Sequence, residues 1–260
     1  MIDTAPLPPG EPIIRFQHVK KAFGPKKIYD DLCMEIYPGE TLTVLGGSGV
    51  GKSVMIKMLI GLLQVDSGEI LYRGHDLTLL DEKQMLAIRK RISMVFQLAA
   101  LFDSLNVFEN IAYPLREHLK LSEKEIRDKV YGLLDLVHLP HDMDKRYPSE
   151  LSGGMRKLVS LARSLALEPE VILYDEPTTG LDPESTVNIN KLIRSVQRER
   201  NVASIVITHD MSGAFYFSDR IAFLYGRKIH LIGPVDEIRQ SRDPVLYRFL
   251  RGLPDHVPID

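Results

Sequence analysis

The stretch TLTVLGGSGVGKS, residues 41–53, decides the fold of this chain. Its first five residues predict a buried strand that runs directly into the glycine-rich turn of residues 46–53. After Lys52, apolar residues recur at helical spacing, at Met55, Met58, Leu59 and Leu62. The sequence therefore predicts a strand, a glycine turn and a helix in direct succession.

The turn GGSGVGKS fits the pattern G-x-x-x-x-G-K-[ST], in which backbone amides surround phosphate oxygens. We expect Lys52 to reach the β- and γ-phosphates and the Ser53 hydroxyl to bind Mg²⁺. The alternative, a flexible glycine-rich loop, is weakened by the strand before it and the helix after it. The residues predicted to contact the nucleotide here are Gly46, Gly47, Ser48, Gly49, Val50, Gly51, Lys52, Ser53 and Val54.

Two continuous apolar runs, residues 171–174 and 203–207, are typical of parallel strands covered on both faces. Each run ends in polar residues, and ligands of open α/β sheets bind at the carboxyl ends of the strands. Asp175 is predicted to hold the water shell of the metal, and Glu176 to polarise the attacking water. His209 is predicted to contact the γ-phosphate. For each of these residues, a solvated strand end or a helix cap is the alternative.

The composition sets limits on partners and compartment. The chain has 260 residues and a net charge of −2, from 33 basic and 35 acidic side chains, which gives no electrostatic reason to bind nucleic acid. The single cysteine, Cys33, is expected to be a buried thiol in a reducing compartment. No secretory signal or membrane span is evident, so we expect a soluble cytoplasmic chain that contacts a membrane only through partners.

A second glycine turn, LSGGM at residues 151–155, stands before an apolar periodic helix and predicts another anion-binding helix N-terminus. An ordinary N-cap is the alternative. The phosphate loop, LSGGM, VILYDE, TTGLD and THD follow one another in the order found in ABC transporter ATPases. The chain resembles that family from about residue 13 to residue 238.

The resemblance implies an α/β fold of the P-loop NTPase class and ABC ATPase type, with a RecA-like core, an N-terminal antiparallel β subdomain and an inserted helical subdomain. The Pro-rich start of the chain predicts a loose segment over residues 1–12. The resemblance implies an ATPase domain over residues 13–240 with the helical subdomain at about 98–167, and a C-terminal tail over residues 241–260 that could contact other subunits.

The resemblance also assigns roles to individual residues. Glu176, His209, Lys52 and Gln97 would be catalytic, and Ser53, Gln97 and Asp175 would hold Mg²⁺. In a head-to-tail homodimer, Ser152, Gly153 and Gly154 would contact the ATP held by the other chain, and Asp182 would complete the set of nucleotide-binding residues. Phe23 occupies the place of the aromatic residue that stacks on adenine, with a core phenylalanine as the alternative.

The stretch FQLAALFDSLNVFENIAYPLREH, residues 96–118, looks most like the Mla (MlaF/Mkl) branch, which drives phospholipid movement between bacterial envelope membranes. The branch implies an MlaE-like transmembrane permease, an MlaD-like MCE protein, an MlaB-like STAS protein and a peripheral position on the cytoplasmic face of the inner membrane. Leu101, Phe102 and Val107 would form part of the permease groove, or else helical core.

Three other interpretations stay open at the level of sequence. One is an ABC ATPase of another branch, such as an amino-acid importer. Another is a soluble ABC ATPase that acts on ribosomes or DNA, although the chain has one cassette and no heptad run. A P-loop kinase or GTPase would lack any use for LSGGM, and Asn190-Lys191 is followed by Leu192-Ile193 rather than a guanine-reading motif.

Overall fold

A computed structural model describes residues 5–253 of the chain. Its first sheet has four antiparallel strands in the order β2-β1-β4-β5. The strands are β1 (Ile14–Phe23), β2 (Lys26–Ile36), β4 (Ser67–Tyr72) and β5 (His75–Asp76). Strand β1 extends to Phe23, because its pairing with β2 persists as far as Phe23 opposite Lys26.

The second sheet has six strands in the order β10-β9-β3-β8-β7-β6. All neighbours are parallel except β10, which runs antiparallel to β9. The strands are β3 (Thr41–Leu45), β6 (Ile92–Val95), β7 (Val171–Asp175), β8 (Ala203–Ile207), β9 (Arg220–Tyr225) and β10 (Lys228–Pro234). Every residue of β3, β7 and β8 is buried, as the continuous apolar runs predict.

Nine α-helices lie among the described residues. They are α1 (Lys52–Leu59), α2 (Glu82–Arg89), α3 (Val107–His118), α4 (Glu123–Leu136), α5 (Gly153–Leu165), α6 (Pro183–Arg200), α7 (Met211–Phe217), α8 (Val235–Gln240) and α9 (Pro244–Leu250). One apolar cluster joins α1 and the first sheet to one face of the second sheet, and another joins α3, α4, α5 and α6 to the opposite face. The sheet that carries the phosphate loop is thereby covered on both faces.

Helices α3, α4 and α5 follow one another between β6 and β7, as the sequence predicts for this stretch. The Ser122 side chain caps α4 and forms a reciprocal capping box with Glu125. Asn106 caps α3 by accepting a hydrogen bond from the Glu109 amide, but the Glu109 carboxylate pairs with Arg116 instead of returning to Asn106. Helix α3 therefore has a side-chain N-cap but no reciprocal capping box.

The prediction of a buried Cys33 is wrong, because its side chain is exposed. In β2 the buried residues alternate, with Leu32 and Met34 facing the core, so the residue between them points outward. On that outer side the Cys33 thiol lies 3.5 Å from a carboxylate oxygen of Asp31 and 3.6 Å from Nδ1 of His18.

Among residues 5–253, no helix combines the length and the apolar character needed to cross a bilayer. Helix α9 ends at Leu250 and packs on the sheet through the buried Leu246 and the partly buried Phe249. The loose segment and the C-terminal tail predicted from the sequence extend into residues 1–4 and 254–260, which lie outside the described part of the chain.

Candidate nucleotide site

A cavity of about 570 Å³ opens at the carboxyl ends of β3, β7 and β8. Its walls combine glycines of the phosphate loop with charged and aromatic side chains from both sheets. The lining residues are Phe23, Lys26, Ile28, Gly46, Ser48, Gly49, Gly51, Lys52, Ser53, Val54, Gln97, Glu176, Thr179 and His209. Residues predicted from five separate stretches of sequence thus meet in one place.

The phosphate loop needs glycine at two positions for steric reasons. A Cβ at Gly46 would lie 2.7 Å from the carbonyl oxygen of Leu224, because the loop passes close to β9. Gly51 has φ +115°, and a Cβ there would lie 2.5 Å from a methyl carbon of Ile28. The buried Tyr29 hydroxyl also donates to the Gly51 carbonyl oxygen at 2.6 Å. The first sheet therefore fixes the loop from outside.

Lys52 begins α1 and is buried beneath the loop. Its ammonium donates to the carbonyl oxygens of Gly46 at 2.8 Å and Gly47 at 3.0 Å. Burial lowers the pKa of Lys52 from its usual value, while the carboxylates of Glu176 and Asp175 act in the opposite direction. A positive charge is thus held inside the loop, next to backbone groups that can surround phosphate.

The Ser53 hydroxyl donates to Oδ1 of Asp175 at 2.9 Å. Asp175 is the last residue of β7 and is buried, whereas Ser53 lies on the first turn of α1, so the contact joins two elements that are far apart in sequence. Hydroxyl and carboxylate oxygens are the ligands and water partners that Mg²⁺ prefers. The chemistry of this donor set is compatible with the predicted metal.

Glu176 and His209 form the polar centre of the cavity. Oε2 of Glu176 lies 2.8 Å from Nδ1 of His209 and accepts from the Thr179 hydroxyl and the His209 amide, each at 3.3 Å. Glu176 adopts φ +51°, a left-handed backbone conformation that is unusual for a residue with a side chain. The carboxylate is thereby turned into the cavity instead of continuing the strand.

Gln97 and Phe23 reach the cavity from two other directions. Gln97 follows β6 and is exposed at the cavity wall. Phe23 ends β1 and is 46% exposed, so it is not the core phenylalanine of the alternative interpretation. The Lys21 ammonium lies 5.2 Å from the centre of its ring. The partly exposed Phe23 ring therefore forms part of the cavity wall.

The residues of the second glycine turn are not among those that line this cavity. Ser152 is exposed, and its hydroxyl accepts from the Met155 amide at 3.2 Å as the N-cap of α5. Asp182 is exposed too and caps α6 through the Ser185 amide at 2.9 Å. Gly154 lies close to Ser185, and a Cβ added at Gly154 would be 3.0 Å from the Ser185 hydroxyl oxygen. The two caps therefore form one exposed surface outside the cavity.

Sequence reasoning missed several residues of the site. Lys26 and Ile28 reach the cavity from β2, and Thr179 contacts Glu176 from the loop after β7. Thr179 lies within the TTGLD motif, which could have indicated it. Lys26 carries no such signal, because only the folding of the first sheet against the phosphate loop brings it there.

The fold and the site together define a P-loop nucleotide hydrolase, with a parallel sheet, a phosphate loop between β3 and α1, and acidic residues at the end of β7. The model of the ABC transporter family matches residues 29–179, and the chain belongs to that family. It is an ATP-binding and ATP-hydrolysing component of an ABC transporter.

Two relatives named for transport align with nearly the whole chain. A protein of Mycobacterium leprae named "Probable ribonucleotide transport ATP-binding protein mkl" is 41% identical over 92% of this chain and 69% of its own length. A protein of Escherichia coli K12 named "Intermembrane phospholipid transport system ATP-binding protein MlaF" is 35% identical over 94% of this chain and 90% of its own length.

A solved structure gives a third comparison. The dimeric structure of an ATP-binding cassette in a post-hydrolysis state, bound to ADP and Pi, is 28% identical and superposes with a TM-score of 0.78. The match covers 85% of this chain and 98% of that one. The fold of this chain is therefore that of an ABC cassette.

Proposed function

We propose that this chain drives phospholipid transport between the membranes of a bacterial envelope, as a head-to-tail homodimer that hydrolyses ATP. The observation that carries the catalytic part is the convergence of the Glu176 carboxylate, His209 and the Lys52 loop on one cavity. The resemblance to the phospholipid-transport relative supports the choice of cargo.

Four side chains of this chain perform the chemistry in the proposal. Lys52 neutralises the charge of the β- and γ-phosphates, which its burial and its place inside the loop favour. Glu176 accepts a proton from the attacking water, and His209, 2.8 Å away, orients that carboxylate and contacts the γ-phosphate. Gln97, which also lines the cavity, helps to position the water.

Mg²⁺ would be held by Ser53, Asp175 and Gln97, and when bound it would neutralise charge on the phosphate oxygens. The 2.9 Å contact between Ser53 and Asp175 supports this assignment, since it brings two oxygen donors together at the edge of the phosphate loop. Phe23 would stack on the adenine ring, for which its exposed face is suited.

The proposed dimer explains the exposed surface formed by the caps of α5 and α6. Ser152 and Asp182 are exposed and are not among the residues that line the cavity of their own chain. A helix N-terminus is a favourable place for phosphate, and Ser152, Gly153 and Gly154 would contact the ATP held by the other copy. The solved relative that binds ADP and Pi is itself a dimer.

An MlaE-like permease would dock on the helical subdomain, at about residues 98–167. A groove of about 400 Å³ adjoins Gln97, and its walls include Phe96, Phe102 and Tyr113, which are 37%, 45% and 46% exposed. Apolar side chains exposed beside a functional loop are typical of a partner site. Val107 is buried and belongs to the helical core, so of the three residues predicted for the groove Phe102 is the best supported.

An MlaD-like MCE protein and an MlaB-like STAS protein would complete the complex, with this chain peripheral on the cytoplasmic face of the inner membrane. The cargo does not contact this subunit, so its identity must be read from the assembly. The Mycobacterium leprae relative is named for ribonucleotide transport, which makes a ribonucleotide the second candidate cargo.

The test is to tag the chain, purify it from native membranes in mild detergent, and identify co-purifying proteins and lipids by mass spectrometry. We expect a permease, an MCE-domain protein and bound phospholipid. A different permease with a solute-binding protein would refute the phospholipid assignment, as would bound nucleotide other than ATP or ADP in place of lipid. A Lys52→Ala variant is the control, because it should assemble normally and lose ATP hydrolysis.

A further inference from the structure

One face of α5 holds the segment that carries Gln97. Lys157, Ser160 and Arg163 are spaced three residues apart, so they lie along one side of the helix. All three donate to backbone carbonyl oxygens of residues 97–100. The helix that begins at the exposed glycine turn thus contacts a wall of the nucleotide cavity directly.

The segment needs these contacts because of its backbone conformation. Ala99 and Ala100 have φ +62° and +49°, in the left-handed region that disfavours residues with a Cβ. Ser160 donates to the Ala99 carbonyl at 2.8 Å, and Arg163 donates to the Ala100 carbonyl at 2.8 Å. Two consecutive alanines are therefore held in an unfavourable conformation by side chains of α5.

Lys157 differs from the other two because it contacts both walls of the cavity. Its ammonium donates to the carbonyl oxygen of Gln97 and, at 3.4 Å, to that of Glu176. Only 6% of the residue is exposed, so the charge is withdrawn from solvent. Burial lowers the pKa of Lys157, while the carboxylates of Asp175 and Glu176 act in the opposite direction.

The Glu176 backbone is restrained from several sides. Its amide donates to the Ile207 carbonyl at 2.8 Å, and its carbonyl accepts from the Thr179 amide at 3.3 Å as well as from Lys157. Since Glu176 itself has φ +51°, small shifts of this carbonyl would turn its side chain away from His209. Lys157 is the side chain that joins this peptide to the backbone of Gln97.

We infer that Lys157 is a positioning residue, which fixes the backbones of Gln97 and Glu176 relative to each other and so links the permease side of the cavity to the catalytic carboxylate. The inference rests on the roles proposed above for Glu176 and Gln97. A change at the exposed end of α5, or in the groove beside Phe102, would reach Glu176 through this ammonium. The Arg163 guanidinium, 5.6 Å from the Phe102 ring centre, extends the same face to the groove.

The test uses the full chain in its native membrane complex. Lys157→Met removes the ammonium and keeps most of the side-chain volume, and Lys157→Arg restores a cation. We expect Lys157→Met to lower kcat by roughly 10- to 100-fold, the range that misplaced catalytic groups produce, with KM for ATP changed less than about threefold. Lys157→Arg should recover most of kcat. Lys124→Met, at an exposed lysine on α4, is the matched control.

Hydrogen exchange supplies a second readout. In Lys157→Met, the Thr179 amide, which donates to the Glu176 carbonyl, should exchange faster together with the amides of Ala99 and Ala100. Ser160→Ala removes a contact to the loop alone, so it should accelerate exchange at Ala99 and Ala100 and leave Thr179 unchanged. Faster exchange confined to the loop in Lys157→Met would overturn the inference.

The kinetic outcomes separate this inference from the function proposed above. If Glu176→Gln stops turnover and Lys157→Met keeps normal kcat, the positioning role is wrong and the proposed function stands. If Lys157→Met loses ATP binding and thermal stability, and Lys157→Arg does not recover kcat, the residue is merely structural. Normal turnover in Glu176→Gln would overturn the catalytic assignment and this inference with it.

Discussion

Replacing Glu176 with glutamine tests the centre of the proposed mechanism. The amide has nearly the same shape, so the contacts of Oε2 with Nδ1 of His209 at 2.8 Å and with the Thr179 hydroxyl at 3.3 Å can be replaced by neutral hydrogen bonds. ATP binding should therefore persist. The variant loses the group that accepts a proton from water.

General-base catalysis contributes typically 10²- to 10⁴-fold, so we expect kcat to fall by about that factor. The corresponding loss of transition-state stabilisation is roughly 3–5 kcal/mol, at about 1.4 kcal/mol per tenfold change in rate. In addition, replacing the charge-assisted hydrogen bond between residue 176 and His209 by a neutral one should cost about 1 kcal/mol of interaction energy. His209 would then be oriented less firmly.

The assay is phosphate release at saturating ATP, with KM and the oligomeric state measured on the same samples. Glu199→Gln, at an exposed glutamate near the end of α6, is the control for loss of one charge. In the presence of ATP the Glu176→Gln chain should accumulate as a dimer, because the γ-phosphate that bridges the two copies is not removed. A kcat within threefold of the unmodified chain would refute the assignment of Glu176 as the base.

Three further predictions follow from other parts of the chain. Ser53→Ala should raise the Mg²⁺ concentration needed for half-maximal ATPase activity by roughly 10- to 100-fold, measured in a magnesium titration. If that concentration is unchanged, Ser53 is not a ligand of the metal. Gly68→Ala should lower the free energy of unfolding in urea by about 3 kcal/mol, because φ is +86° and a Cβ would lie 2.4 Å from a carbonyl oxygen of β1. Gly74→Ala is the matched control: its φ is +77° but the space around it is open, so it should cost about 1 kcal/mol. Equal losses in the two variants would contradict the steric argument. Partial loss of hydration and the neighbouring Asp31 carboxylate raise the pKa of the exposed Cys33 thiol, so less thiolate is present at a given pH and iodoacetamide should label the native chain at pH 8 more slowly than the unfolded chain. Asp31→Asn should lower the pKa of the Cys33 thiol and speed the labelling. A slower rate in Asp31→Asn would show that the carboxylate does not raise the thiol pKa.

Much of the nucleotide site could be predicted from the sequence because its parts are local. A glycine turn between a strand and a helix creates the Lys52 loop within a dozen residues, and Asp175 follows directly from the end of a buried run. The parallel order of the strands then implies that the polar ends share one edge of the sheet. For these residues, local chain geometry and strand direction were sufficient.

The structure decided the matters that depend on distant contacts. Whether Phe23 is core or cavity wall could not be read from β1, since the answer lies in the packing of the first sheet against the phosphate loop. The burial of Lys157 is similar, because a lysine on a helix is usually solvated and only the loop after β6 covers it. The outward orientation of Cys33 follows from the alternation along β2 and could have been predicted.

The sequence by itself determined the phosphate loop, the positions of the buried strands along the chain and the family motifs, because each is encoded in residues that are neighbours along the chain. Only the tertiary structure decided which side chains meet across the cavity, that Ser152 and Asp182 lie outside it, and that α5 holds both Gln97 and Glu176. The physical reason is that a hydrogen bond between residues 19 or 60 positions apart depends on the packing of whole elements, which no short stretch of sequence specifies.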